Sequence, residues 1–165
     1  MDPFFLAIES SAVSAWVRDS PSLLAFPFIL ILHTVGLAFL VGTSIAIAAR
    51  TLGVAAGVPL QSLERYLIIM WMGFWVNAAS GVLLLAAYPT KALTNPLFYA
   101  KLGLIAAALL AISPVVRHLR QAAVDAPVRP RLKLAAAVSL FCWATSITAG
   151  RLLAYTYTRL TADFP

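Results

Sequence analysis

The chain has 165 residues, of which 62% are hydrophobic and 11% charged, and its mean hydropathy is +0.91. Soluble domains contain about 25% charged residues, so this composition excludes an ordinary soluble domain and favours a protein of the lipid bilayer. A spanning helix takes about 20 apolar residues. The length therefore fits four spans in a single membrane domain, residues 1–165, and predicts an all-α four-helix bundle.

The net charge is +6, with twelve Lys and Arg against six Asp and Glu. These basic residues fall at span ends and in one loop rather than along a helix face, so membrane topology explains them and no nucleic-acid partner is expected. The chain has one cysteine, Cys142, which excludes a disulfide framework.

The N-terminal residues 2–18 combine apolar and polar residues at helical spacing. Phe5, Ile8, Ala12 and Trp16 recur on one side of a helical wheel, and Glu9 and Arg18 lie elsewhere. This pattern predicts an amphipathic helix that lies in the membrane interface, before Asp19 to Pro21 interrupt it.

Four long apolar runs follow. We predict spans at about 22–49, 63–88, 97–116 and 134–158, with Pro114 kinking the third span or marking its last turn. The segments between them, at 50–65, 88–96 and 117–133, contain the Gly, Pro and charged residues of connections.

The orientation follows from the basic residues of the connections. Seven of them lie after the first and third spans, and three lie on the other side: Arg50, Arg65, Arg117, Arg120, Arg129, Arg131 and Lys133 against Arg18, Lys91 and Arg159. The positive-inside rule therefore predicts a multi-pass membrane protein with the loops after the first and third spans in the cytoplasm and both termini outside. Small residues four apart, such as Ala38, Gly42 and Ala46, predict close helix packing.

Three ionisable residues lie at membrane depth, where such residues are costly and mark functional sites. His33 is about 16 Å into the first span, and Lys101 is about 8 Å into the third. Arg151 lies about seven residues from the outer end of the fourth span. The six carboxylates all lie outside the deep spans, so no proton relay is expected.

A histidine at mid-depth below two cations is the pattern that a b-type haem requires. His33 would supply the axial nitrogen to the iron, and Lys101 and Arg151 would meet the propionates. Gly36 would let the porphyrin approach the helix. Further candidates to line the cofactor are Asn77, Trp143 and Tyr155. His118 lies some 15 Å from His33 along the bundle axis, too far to bind the same iron.

Other interpretations of these residues stay open at this point. In one alternative, His33 is a buried histidine that joins two helices by a hydrogen bond to Asn77 or to a carbonyl group and binds no cofactor. In the alternative for Lys101, its ammonium group extends to the outer membrane interface and its stem packs on apolar surface, without contact to a cofactor.

Several segments resemble a family of small four-span bacterial inner-membrane proteins defined as a domain of unknown function. The segments are LHTVGLAFLVG at 32–42, RTLG at 50–53, WxxxASGxLLL at 75–85, NPLFYAKL at 95–102 and SLFCWATSITAGRLLAY at 139–155. In that family's pattern, an acidic residue often stands three positions before the histidine, and another stands in the loop before the arginine. This chain has Leu30 and Ala49 at those positions.

The same segments are distantly similar to HemJ-type protoporphyrinogen oxidases and, more loosely, to copper-resistance-D-like membrane proteins. The first resemblance implies a haem-binding histidine and a lysine on a later helix, at His33 and Lys101. That pattern has a histidine just before Ala-Lys-Leu, and this chain has Tyr99 there. The departure argues against the oxidase activity.

The sequence thus favours a small haem b (tetrapyrrole) binding protein in electron transfer. One alternative is a non-catalytic accessory or assembly subunit of a larger membrane complex, and a second is HemJ-like porphyrinogen oxidation. The expected partners are the lipid bilayer, a homo-oligomer or membrane-complex partner, and a periplasmic redox partner. Whether the protein is an enzyme stays open.

Overall fold

A computed structural model describes residues 7–54, 56–121 and 127–162, without the side chains of residues 154 and 156–162. The described residues form helices and no strands. Four of these helices are long and apolar enough to cross a membrane. The chain is therefore an all-α membrane bundle, as the composition predicts.

A short helix, α1 (Ala12–Asp19), precedes the first span and is shorter than the helix predicted over 2–18. The helix is interrupted at Ser10 and Ser11, because the Ser11 side chain accepts the Ser14 N–H at 3.3 Å and caps the start of α1. Val17 is fully buried, and Trp16, predicted to be part of the apolar face, is 48% exposed. Phe5 lies outside the described residues.

The first span is α2 (Phe26–Leu52), which begins four residues later than predicted and extends three further. It ends at Gly53, whose φ of 104° lies in the left-handed region that glycine adopts without strain. The Gly53 N–H donates to Arg50 O, and Arg50 Nε donates to Val58 O.

The second span is α3 (Leu67–Ala87), and a 3₁₀ helix (Leu60–Tyr66) precedes it. The segment predicted as a turn at 88–96 contains a short helix, α4 (Pro89–Leu93), which begins with a proline at its first position. Asn95 then accepts the Leu97 N–H at 2.9 Å and starts the next span.

The third span is α5 (Pro96–Gln121), and it continues five residues beyond the predicted end. Buried Val115 and Leu119 carry the apolar face of the helix past Pro114. Proline removes one backbone hydrogen bond to Leu110 O, and the Ser113 hydroxyl donates to that same oxygen at 2.9 Å. Residues 117–121, predicted to belong to a polar loop, are therefore helical.

The fourth span is part of α6 (Pro130–Ala162). It packs antiparallel to α5, since Ser139 Oγ donates to Ala108 O at 3.0 Å and Gly150 faces Lys101. The antiparallel pairs α2–α3 and α5–α6 meet along α2 and α6, and a core that includes Leu40, Ile112 and Trp143 joins them. The ends of α2 and α5 and the starts of α3 and α6 lie together, at what we call the basic end.

The tightest helix contact joins α2 and α3. A Cβ atom built on Gly36 would lie 2.6 Å from Asn77 N, and one built on Gly73 would lie 2.8 Å from Gly36 O. Only glycine permits backbones to come this close, and such packing drives helix association in lipid. This contact fixes the level at which α3 faces His33.

Candidate functional site

His33 lies on α2, one turn before the Gly36–Gly73 contact, and its ring faces α3. Its Nδ1 is 3.0 Å from the main-chain oxygen of Asn77 and 3.2 Å from Ser80 Oγ. The Asn77 side-chain amide donates in turn to the main-chain oxygen of His33 at 2.7 Å. These reciprocal bonds join two spans through one histidine and one asparagine.

The surrounding acceptors assign the proton of the imidazole to Nδ1. The Ser80 hydroxyl donates to Val76 O at 2.6 Å, so Ser80 Oγ presents only lone pairs to His33. The Asn77 carbonyl oxygen is an acceptor as well. The Asn77 amide nitrogen, at 3.3 Å, is the longest of the three contacts to Nδ1, and its short bond is to His33 O. Nδ1 therefore donates, and Nε2 keeps its lone pair.

The Nε2 atom of His33 has no hydrogen-bond partner in the described part of the chain. The edge of the ring beside it lies over Gly81, where a Cβ atom would be 3.1 Å from Cε1. A basic nitrogen without a partner, on a ring anchored at its other nitrogen, is the arrangement of a metal-binding histidine.

Lys101 on α5 lies close enough to interact electrostatically with the His33 imidazole. Its stem packs on Gly150 of α6, where a Cβ atom would be 3.7 Å from Cδ and 3.8 Å from Cε. The side chain is half-buried. Each of the four spans thus contributes one residue to a common site, which we call the His33 site: His33, Asn77, Lys101 and Gly150.

The other residues predicted for a cofactor site are more scattered. Arg151, next to Gly150, is exposed, and Tyr155 is 62% exposed. Trp143 is fully buried on α6, about 10 Å along the helix from Gly150. Gly36 faces the backbone of α3, so the space in which we expected a porphyrin to approach is filled by protein.

The indole nitrogen of Trp143 is buried without an acceptor among the described residues. An unsatisfied buried donor costs about 1–3 kcal/mol, and such groups deserve an explanation. Trp143 otherwise packs in the core with Leu40 and Ile112. Its N–H faces protein atoms of the core and does not open onto the His33 site.

Tyr99 and His118 take structural positions away from the His33 site. The Tyr99 hydroxyl donates to Leu93 O at 2.9 Å and holds the turn before α5. His118 lies in the last turn of α5, at the basic end. Within the described residues, no three His, Cys, Asp or Glu side chains form a cluster that would hold a metal ion.

Comparison of the chain with protein-family models, with curated proteins and with solved structures finds no match. The family resemblance seen in the sequence stays a prediction.

Three residues of the site are not among those that the sequence analysis assigns to a cofactor: Ser80, Gly81 and Gly150. Ser80 lies three residues after Asn77, which places both on one face of a helix, and this spacing was a usable signal. The roles of the glycines depend on which side chain of another helix they face. The small-residue spacing of their segments indicates close helix packing and does not specify which side chain each glycine faces.

Proposed function

We propose that this protein binds a b-type haem through Nε2 of His33 and serves electron transfer in the membrane. The observation that carries the proposal is the bond from His33 Nδ1 to the Asn77 carbonyl. Histidines that bind metals almost always donate their other ring N–H to a carbonyl or carboxylate, which fixes the tautomer and the ring orientation.

The charges around the ring support an anionic cofactor. The ammonium group of Lys101 acts on the His33 ring, and Arg151 adds a cation one residue beyond Gly150. Both lie toward the end of the bundle where α1 lies, and within the described residues neither forms an ion pair with a carboxylate. Haem propionates would compensate these charges, Lys101 from within the bundle and Arg151 from its surface.

The fit to haem rests on donor chemistry rather than on a preformed slot. His33 offers a lone pair and Lys101 a cation, and both would gain a partner from a bound tetrapyrrole. Gly36 offers no room. When bound, the haem would supply one-electron redox chemistry, while the chain's own residues orient the imidazole and balance the propionate charge.

We further propose that the protein lies in a bacterial inner membrane with both termini outside. The excess of basic residues at the opposite end supports this orientation. It places His33 in the periplasmic half of the bundle, since seven residues of α2 precede it. A periplasmic redox partner would then have the shorter path to the cofactor.

The test is the absorption spectrum of His33→Ala beside that of His118→Ala. Each variant removes one of the only two histidines, so His118→Ala is a matched control. We expect a Soret band in the wild type and in His118→Ala and its loss in His33→Ala, with circular dichroism showing that all three are folded. A band that survives in His33→Ala refutes the ligand assignment.

Ser80→Ala refines the test, because it removes one acceptor near Nδ1 and leaves the Asn77 carbonyl in place. We expect haem to remain bound and its reduction potential to shift, since bonds to the outer nitrogen tune the basicity of the ligand. A potential equal to that of the wild type would show that Ser80 does not act through His33.

An accessory subunit of a membrane complex is the second candidate, and one surface favours it. Ala38, Gly42 and Ala46 lie exposed along α2, and nothing lies within 4 Å of a Cβ built on Gly42. Small residues four apart let another helix approach closely. If this candidate holds, Gly42→Leu abolishes co-purification of a stoichiometric partner, whereas the wild type retains that partner and shows no haem band.

A further inference from the structure

A cleft that contains two arginines opens at the basic end, away from the His33 site. Its volume is about 480 Å³, and the 3₁₀ helix, the first turn of α3 and the end of α5 line it. Arg65 and Arg120 enter it from segments that lie 55 residues apart in the chain, and Gln61 and Ser62 add amide and hydroxyl groups.

The two arginines give the cleft a positive charge that the described residues offset only in part. Neither guanidinium forms an ion pair in the described part of the structure, where the one ion pair joins Arg18 and Asp19 at the other end. Arg65 lies over the ring of Tyr66, with 5.0 Å between Cζ and the ring centre. Glu64 also lines the cleft, so its lining carries a net charge of +1.

The cleft lies where a lipid headgroup would lie. Arg120 is the penultimate residue of a span, and the apolar helix α3 begins two residues after Arg65. Ile68 lines the cleft and is 68% exposed, and Met72, one turn further into the span, is 62% exposed. The cleft therefore continues into an open apolar face at membrane depth.

We propose that the cleft binds the phosphate of an anionic phospholipid. The guanidinium groups of Arg65 and Arg120 bind phosphate oxygens, a geometry that the planar fork of arginine suits. The acyl chains lie along the exposed face of α3 at Ile68 and Met72. Basic pockets at the ends of spans recognise anionic headgroups in this way. A free phosphate would use the arginines and have no use for the apolar face.

The test is native mass spectrometry of the detergent-purified full chain with phosphatidylglycerol, with phosphatidylcholine of the same acyl chains, and with inorganic phosphate. We expect phosphatidylglycerol to bind at least about tenfold more tightly than either alternative. Equal binding of phosphatidylcholine overturns the proposal, and so does competition by inorganic phosphate at the concentration of the lipid, which would indicate a small-anion site.

The variants separate the cleft from the general positive charge of this end. Arg65→Gln and Arg120→Gln are each expected to weaken phosphatidylglycerol binding about tenfold. Arg117→Gln is the matched control, because Arg117 is exposed on the same helix one turn earlier and does not line the cleft. All three side chains are exposed, so folding is expected to survive. An equal loss in Arg117→Gln overturns the assignment.

Discussion

Replacement of Gly36 by alanine tests the contact on which the placement of the His33 site depends. The added methyl group would lie 2.6 Å from Asn77 N and 2.9 Å from Gly73 O. Both are backbone atoms, which no rotamer change moves aside. Ordinary contact begins at about 3.5 Å, so α2 and α3 must separate by close to an ångström.

The magnitude follows from two opposing terms. Alanine in place of a mid-helix glycine gains about 0.5–1 kcal/mol from helix propensity, and overpacking of a tight contact costs about 1–3 kcal/mol. Gly42→Ala is the matched control, since Gly42 lies on the same helix with nothing within 4 Å of a built Cβ. We expect Gly36→Ala to be about 1–3 kcal/mol less stable than Gly42→Ala.

The assay is thermal unfolding in detergent, followed by circular dichroism. For a chain of this length the difference corresponds to a melting temperature lower by roughly 2–12 °C. Separation of the helices also lengthens the bond between His33 and Asn77, so Gly36→Ala should lose part of its Soret band. Equal stability of the two variants would refute the close contact of α2 and α3.

Three further predictions address other parts of the molecule. Gly53→Ala should lower the free energy of unfolding by about 1–2 kcal/mol, because Gly53 has a φ of 104°, and Gly57→Ala, measured in the same melt, should change it little. Gly81→Ala should leave the fold intact and alter the Soret band, because its methyl group would lie 3.1 Å from His33 Cε1; an unchanged spectrum contradicts the placement of the ring. In intact cells a membrane-impermeant maleimide should label Leu23→Cys and should not label Gln121→Cys. Background labelling should be low because Cys142 is only 7% exposed. Labelling of Gln121→Cys would contradict the proposed orientation.

The sequence was sufficient for the architecture, because long apolar runs in a chain of this length allow few arrangements. It was less informative where helices meet water. The third span continues past Pro114 because the Ser113 hydroxyl bonds to the carbonyl that proline leaves unpaired. The predicted N-terminal helix is interrupted at Ser11 because the Ser11 side chain caps the start of α1. Both effects are local side-chain bonds that an apolar pattern does not encode.

The candidate site was predictable only in part. His33, Asn77 and Lys101 stand out as polar residues inside apolar runs, and the structure brings them to one level of the bundle. The sequence predicts that Gly36 lies beside the cofactor, and in the structure it packs against α3 instead. A glycine in a span suits a porphyrin and a neighbouring helix equally well. The choice depends on the register between helices, which a single sequence does not specify.

The central claim is that His33 binds haem, and the spectrum of the wild-type protein tests it most directly. Protein purified in detergent from haem-replete cells would be measured oxidised and reduced with dithionite, with a pyridine haemochrome assay for stoichiometry. We predict a Soret band that shifts on reduction, at about one haem per chain because the chain offers one suitably placed histidine. A folded, colourless protein would contradict the account.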